Sequence, residues 1–336
     1  MPGSVLAVDI GGTKFAVALV GGEGQVLKAR RVATPQSGDA PTLWKTLVDL
    51  IDSLLDGPAP EAAQDAGSVG ESFLIEGVGV GCGGPMSWPE GVVSPLNMPG
   101  WRGFPLRAML AERFPGVPVR VHNDAVCLAV AEHWKGAGRG GANMLGMVVS
   151  TGVGGGLILG DRLIHGGSGN AGHIGHVVVE PGGPVCGCGA RGCLEAVARG
   201  PGLAAWAVGQ GWIPGAAVPV TAVSYEEAAT ASGRQLALDA GAGDEIALAA
   251  MERAGRALGL AIASVVNLCD LDVVTIGGGL SQAGRLLFGP LEATLRDHTR
   301  MEFARRARVV PASLGQDAGL VGAAALILAA DHYWPH

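Results

Sequence analysis

Charge is what this chain has least of: Asp, Glu, Lys and Arg supply 16% of its 336 residues, against 48% apolar. Such a balance excludes an extended disordered chain and provides for a large buried core. The charge that is present leans acidic, a net −7. No broad basic face remains to follow a phosphate backbone, which argues against a nucleic-acid partner. Long apolar runs are also missing. The most apolar late stretches, Leu258–Val266 and Leu320–Ala330, fall well short of the roughly 20 residues that span a bilayer. Ahead of Val5-Leu-Ala-Val-Asp9 stands only Met-Pro-Gly-Ser, with neither a basic nor a long apolar leader. The expectation is a soluble, cytoplasmic protein that binds a small molecule, without nucleic acid or membrane as partner.

Cysteine is sparse, six residues, yet Cys186, Cys188 and Cys193 crowd together while Cys82, Cys127 and Cys269 sit singly in apolar runs. That is metal spacing and not a disulfide framework. Glycine is abundant, 57 residues, and clusters at the ends of apolar runs, where it reads as sharp turns and close ligand approaches. At roughly 150 residues per domain, the length predicts two lobes.

Three strands open the chain, Val5–Ile10, Phe15–Val20 and Val26–Val32, joined by glycine turns into a meander. Leu43, Leu47, Leu50, Ile51 and Leu54 give a helix its apolar face, and Pro58–Ser72 reads as a polar connector. Strand Ile75–Gly81, helix Leu106–Phe114, strand Val117–Val121 and a helix from Asp124 to about Lys135 complete a first α/β lobe. A second set repeats strand, glycine turn, strand: Met144–Ser150, then Thr151–Gly156, then Leu157–Leu159. It continues with a helix over about Asp244–Leu268, strand Val273–Ile276, a turn at Gly277-Gly278-Gly279, a helix to His298, strand Ala307–Pro311 and a closing helix Gln316–Ala330. The repeated pattern predicts two related halves.

Two of the glycine turns suit phosphate. Asp9-Ile10-Gly11-Gly12-Thr13-Lys14 and Ser150-Thr151-Gly152-Val153-Gly154-Gly155-Gly156 each expose backbone N–H groups that side chains would otherwise screen. Asp9, closing a buried strand, suits a magnesium ion held through water. A Gly-Gly pair between strands also serves as a plain hairpin turn. Neither turn is a Walker sequence, and the G-x-G-x-x-G at Gly79–Gly84 runs into Pro85 where a dinucleotide fold starts a helix.

His176, Cys186, Cys188 and Cys193 follow H-x9-C-x-C-x4-C among glycines and prolines. One imidazole and three thiols match a closed, structural zinc site, with three unrelated buried cysteines as the alternative. At His122-Asn123-Asp124 a strand gives way to an Ala-rich helix. Asn and Asp there serve as helix caps, worth about 1 kcal/mol. An ionised carboxylate at that position could also take a proton from a hydroxyl.

Taken in order, the Asp9–Lys14 turn, the Ser150–Gly156 turn, the cysteine cluster, Ile276-Gly-Gly-Gly279 and Leu314-Gly-Gln-Asp-Ala-Gly-Leu-Val-Gly-Ala323 resemble the ROK family of sugar kinases and repressors. The resemblance covers essentially the whole chain. It implies a two-lobed α/β fold of the actin/hexokinase-like (ribonuclease H-like) type, with central mixed sheets and an interlobe cleft. One lobe is expected from residues 1–122 with 312–336, and a larger lobe with the zinc loop from 123–311. It further implies ATP as cosubstrate, with Asp9, Gly11, Gly12, Thr13, Lys14, Thr151, Gly152 and Gly154 at the triphosphate and Gly277, Gly278 and Gly279 against the nucleoside. Asp124 is then the general base, and Asn97, Asn123, Asp124, His176 and Glu195 meet sugar hydroxyls. Locally, Asn97 reads equally as a turn residue before Pro99, and Glu195 as a first-turn helix acid.

One departure stands out. Sugar kinases of the family read Gly-Glu-x-Gly-His where this chain has Gly172-His173-Ile174-Gly175-His176. His173 thus replaces a carboxylate expected on the sugar, and neutral imidazole accepts one hydrogen bond where a carboxylate serves two hydroxyls. The reading is a hexokinase-type enzyme acting on a 6-hydroxyl, a glucokinase or an N-acetylhexosamine (GlcNAc or ManNAc) kinase. A non-catalytic sugar sensor is the alternative. A repressor would need a helix-turn-helix ahead of Val5. The resemblance implies a homodimer or higher homo-oligomer.

Overall fold

Residues 3–35, 38–56, 74–218 and 225–334 are described by the computed structural model, with side chains from 233 onward in the helix that begins at Tyr225. The connector expected over Pro58–Ser72 lies outside them. Among the described residues no helix is long and apolar enough to cross a membrane.

The chain opens with the expected meander, β1 (Ser4–Ile10), β2 (Lys14–Gly21) and β3 (Val26–Ala33). Helix α1 (Ala40–Leu55) starts at Asp39, whose side chain accepts from the Thr42 N–H. It buries Leu43, Leu47, Leu50, Ile51 and Leu54, the residues whose spacing predicted it. Next come β4 (Ile75–Cys82), the small hairpin β5 (Met86–Ser87) and β6 (Val92–Val93), α2 (Leu106–Arg113), β7 (Val119–Asn123) and α3 (Asp124–Trp134). Strands β8 (Met144–Val149), β9 (Val153–Leu159) and the short β10 (Arg162–Leu163) follow. Between Leu159 and Asp244 the sequence reading gives the metal loop and Glu195 as a first-turn helix acid but no element ranges; α4 (Leu194–Ala198), which carries Glu195 in its first turn, α5 (Gly200–Gly209) and α6 (Tyr225–Gly241) occupy much of that stretch. Asp244 then caps α7 (Glu245–Cys269) by accepting from the Ala247 N–H. The remainder is β11 (Val273–Gly277), α8 (Arg285–His298), α9 (Glu302–Arg305), β12 (Arg308–Pro311), α10 (Ala318–Leu328) and α11 (Ala330–Tyr333).

Two compact units divide the chain. The first comprises Met1–Gly136, Arg162–Ala171 and Gln316–His336, the second Ala137–Asp161 and Gly172–Gly315. The break comes after Gly136 and not after His122 as expected, because α3 packs on α10 and β4 and stays with the first unit.

In the first unit the sheet runs β3-β2-β1-β4-β7, antiparallel through the meander and parallel from β1 to β4 to β7. Alternate residues Leu6, Val8 and Ile10 join the apolar faces of α1 and α2 in one core. Helix α10 packs on β1 and β4. Small residues permit close approach to β4 and to α3: a Cβ on Gly79 would strike the Ala323 carbonyl, and one on Gly322 the Cys127 carbonyl of α3. The first G-x-G-x-x-G is thus partly a packing surface. In the second unit β9-β8-β11-β12 repeats the scheme β2-β1-β4-β7, an antiparallel hairpin followed by two parallel strands. Its core gathers α4 to α8 against that sheet.

Candidate active site

Strands β1, β4 and β7 of the first unit finish together, for Ile10 pairs with Cys82 and Cys82 with Asn123. Asp9 and Asp124 therefore lie at the carboxyl edge of a parallel set, the edge where open α/β sheets bind ligands. Asn123 caps α3: its Oδ1 accepts from the Ala125 N–H at 3.0 Å, and Asp124 Oδ1 accepts from the same group at 2.8 Å. Burial lifts the Asp124 carboxyl above its ordinary range, opposed by hydrogen bonds from the backbone N–H groups of Ala125 and of Asp124 itself. Asp9 is lifted to about 6, by burial first and then by the Asp124 charge, with Lys14 and Arg31 pulling the other way. Its carboxylate lies against the start of α10, where a Cβ on Gly319 would come within 2.7 Å of Oδ2. The buried Cys82 and Cys127 thiols are pushed well up by burial and by these two carboxylates, so they stay protonated.

The first glycine turn is closed by the Gly11 N–H donating to the Lys14 carbonyl at 3.0 Å. Thr34 clamps it from below, its hydroxyl donating to Gly11 O at 2.8 Å and its N–H to Thr13 O at 3.0 Å. With those carbonyls claimed, the turn presents N–H groups, the polarity an anion needs. Thr13 is exposed and Lys14 half-buried. Asn97, also exposed, lies directly over Gly12, where a Cβ would strike its amide.

In the second unit the second turn is shorter than expected. Gly154, Gly155 and Gly156 are strand residues, paired with Val148, Met147 and Gly146; only Ser150, Thr151 and Gly152 form the tip, with the Ser150 N–H donating to Gly152 O at 2.9 Å. The glycines keep the strand thin, since a Cβ on Gly155 would lie 2.7 Å from Gly146 O and 3.0 Å from the Ile174 side chain. Gly277 ends β11, Gly278 takes φ 91°, and Gly279 begins a 3-10 turn to Ala283. This loop shares an end of the sheet with the second turn, because a Cβ on Gly278 would strike the Val149 carbonyl.

Glu195, half-buried in α4, accepts from the Val153 N–H at 3.0 Å. It also faces His173, whose pKa burial lowers, with the His176 charge in the same sense and Glu195 opposing. The His173 and His176 rings stack with centroids 6.0 Å apart.

The ligand atoms of His176, Cys186, Cys188 and Cys193 all lie within 4.8 Å of one another. Cys188 Sγ and Cys193 Sγ are 3.8 Å apart, and Cys186 Sγ and His176 Nδ1 3.7 Å. A tetrahedron with metal–sulfur bonds of ~2.3 Å has an S···S edge of ~3.8 Å. The four side chains thus fit a tetrahedral metal, and bridges Val178–Cys193 and Val185–Arg191 hold the loop that carries them.

Two contributions escape the sequence. Thr34 has no local motif; its role appears only when β3 lies beside the first turn. The fully buried His122 accepts from the Asn123 N–H through Nδ1 at 2.8 Å, and its Nε2 is 3.1 Å from Nδ1 of His165, which stacks on Trp88 at 4.4 Å. This pair buttresses the strand end that carries Asn123 and Asp124. Adjacency to Asn123-Asp124 was the one available signal for His122; nothing local marked His165.

Residues 5–330 match the ROK family. The chain is 35% identical over 328 residues to the glucokinase of Thermotoga maritima, covering 96% of each. It is 35% identical over 324 residues to an N-acetylmannosamine kinase of Shigella flexneri, covering 96% of this chain and 98% of that one. Among solved structures, a ROK family glucokinase from Streptomyces griseus in complex with glucose and AMPPNP aligns with TM-score 0.74 and 33% identity, over 96% of this chain and 99% of that one. The mixed α/β fold is the actin/hexokinase-like one that the motifs implied. On the family match and these identities together, the chain belongs to the ROK family.

Proposed function

We propose that this chain is an ATP-dependent sugar kinase of the glucokinase type, moving the γ-phosphoryl group of ATP onto the 6-hydroxyl of a hexose. The observation that carries the reading is the placement of Asp124 beside Asp9 at one sheet edge, with its carboxyl raised above the ordinary range. A raised carboxyl is the stronger base, suited to accept the hydroxyl proton as the sugar oxygen attacks phosphorus. The new O–P bond forms as the bond from phosphorus to the bridging oxygen breaks; the proton goes to Asp124 and ADP leaves.

Little covalent chemistry falls to the protein in such a transfer, so positioning and charge do most of the work. The N–H groups of the first turn, with Thr13 and Lys14, suit phosphate, and so do Thr151, Gly152 and Gly154 at the second. The Gly277–Gly279 loop suits the nucleoside. Asp9 would hold magnesium through water, and the ion supplies charge neutralisation at the phosphates. His176, Cys186, Cys188 and Cys193 would hold zinc in a structural role, since four protein ligands leave no open position. Asn97, Asn123, His173, His176 and Glu195 are the side chains proposed to meet the sugar.

A second reading, an N-acetylhexosamine kinase, is favoured by one observation: the identity to an N-acetylmannosamine kinase equals that to a glucokinase, 35%. Rates of ATP consumption with glucose, mannose, GlcNAc and ManNAc decide between them. The glucokinase reading requires the highest kcat/KM on glucose. Turnover with none of them would overturn the kinase reading in favour of a sugar sensor.

A further inference from the structure

Glu195 spends one oxygen on the protein and keeps the other. Oε2 accepts the Val153 N–H at 3.0 Å, directly behind the Thr151-Gly152 tip, while Oε1 makes no hydrogen bond among the described residues. Gly152 lies so close that a Cβ there would be 3.0 Å from the same Oε2. The segment carrying Glu195 is bracketed at both ends. At its start, Cys193 belongs to the metal cluster and the Leu194 N–H donates to Val177 O at 2.8 Å; at its end, the Gly200 N–H donates to Ser150 O at 2.8 Å. The carboxylate thus meets the second glycine turn directly and acts electrostatically on His173, on a short piece tied to the metal cluster at one end and to Ser150 at the other.

We propose that Glu195 is a positioning residue that couples sugar binding to the geometry of the second phosphate turn. This rests on the reading, given above, that Glu195 meets a sugar hydroxyl. A hydroxyl donating to Oε1 restricts the carboxylate, and through Oε2 the restriction reaches the Val153 N–H and the tip at Thr151 and Gly152. Coupling of two binding events is reciprocal, so nucleotide must also tighten sugar by the same factor. Nothing in the arrangement requires a large movement; one hydrogen bond links the two sites.

The test is calorimetric titration of the full chain with a non-hydrolysable ATP analogue and magnesium, without sugar and with saturating hexose. The hexose is the one the wild-type protein phosphorylates fastest. Glu195→Ala removes the Val153 partner and is expected to weaken sugar-free nucleotide binding by about ten- to a hundredfold, the worth of one hydrogen bond to a charged group. It should also abolish the tightening that hexose produces in the wild type. Glu195→Gln retains an acceptor oxygen for Val153, so sugar-free nucleotide affinity returns to within about twofold of wild type while sugar affinity still falls. Metal content and melting temperature verify folding, and Glu195→Asp, too short to reach Val153, stands in for the alanine variant if that one does not fold. Sugar-free nucleotide affinity within twofold of wild type in Glu195→Ala, with the tightening by hexose retained, would overturn the proposal. A wild-type protein that phosphorylates no hexose removes the kinase reading instead, and the sugar-free titrations still decide whether Glu195 positions the turn.

Discussion

Asp124 and Asp9 share one sheet edge, and the Asp124 charge adds to burial in raising the Asp9 carboxyl from 3.8 to about 6. The folded chain holds that proton more tightly than the unfolded chain. The stability this contributes is complete below about pH 4 and is lost as pH rises through 6, about 3 kcal/mol in all. Asp9→Asn should therefore be more stable than wild type at pH 8, by up to about 3 kcal/mol, and nearly equal at pH 4. It should also lose phosphoryl transfer. Urea midpoints at the two pH values, with an activity assay, check both parts.

His165 runs the opposite way. Burial lowers its pKa from 6.5 to about 4, so the stability tied to its neutral form is present above pH 6.5 and disappears as pH falls through 4, again about 3 kcal/mol. The Asp9 and His165 contributions offset each other in mild acid. His165→Gln keeps an acceptor for His122 and should remove the acid-side loss, making the variant gain stability relative to wild type from pH 7 to 4.5. Thermal melts across that range would show it.

Asp124→Asn isolates the proposed base. Asn123 still caps α3 through the Ala125 N–H, so the free energy of unfolding should change by no more than about 1 kcal/mol. The rate constant kcat should fall by about 10²- to 10⁴-fold. In the wild type, kcat/KM should decline on the acid side as the raised Asp124 carboxyl takes up its proton. An undiminished kcat in a folded Asp124→Asn protein would remove Asp124 from the chemistry.

Metal removal should act on stability. Cys188, the exposed member of the cluster, is reached most easily by a chelator, and a bound structural metal contributes its binding energy to folding. Cys188→Ser should lower bound zinc from about one per chain to well under a half, with a lower melting temperature. Mass spectrometry under native conditions measures the stoichiometry.

Asp239 is the hub of a loop with no proposed chemistry. Fully buried, it accepts from Trp212 Nε1, Gly215 N, Val218 N and Gln235 Nε2, at 2.9 to 3.0 Å. Every partner is a donor, so Asn would turn an NH₂ toward N–H groups. Asp239→Ala should cost about 3–5 kcal/mol by leaving buried donors unpaired, and Asp239→Asn somewhat less. Denaturant melts of both variants test the order.

The sequence exposes its architecture where side chains repeat. The five apolar residues of α1 and the Asp244 cap of α7 were readable because period and cap chemistry are local. The metal ligands were readable for a similar reason, four soft donors within one short stretch. Gly154–Gly156 were misread as turn because residues without side chains carry no alternation, and their strand identity comes from β8 alongside. Likewise α5, apolar on several sides and opened by Gly-Pro-Gly, has no amphipathic stripe to declare it. Thr34 and His165 act through partners far off in the sequence, which no window reports.

The docking of α10 on β4 through Gly79, and on α3 through Gly322, sets an order of assembly. A chain emerging from a ribosome delivers β1 to β7 early, but the helix that covers their sheet arrives only after the whole second unit has appeared. Units emerging first generally fold first. Here the inserted unit can close before the unit that surrounds it, and the part of the early sheet that α10 covers, beside α3, must wait for it. Yield of this protein is therefore expected to rise with a co-expressed chaperone or slower translation, either of which shields that surface while it waits.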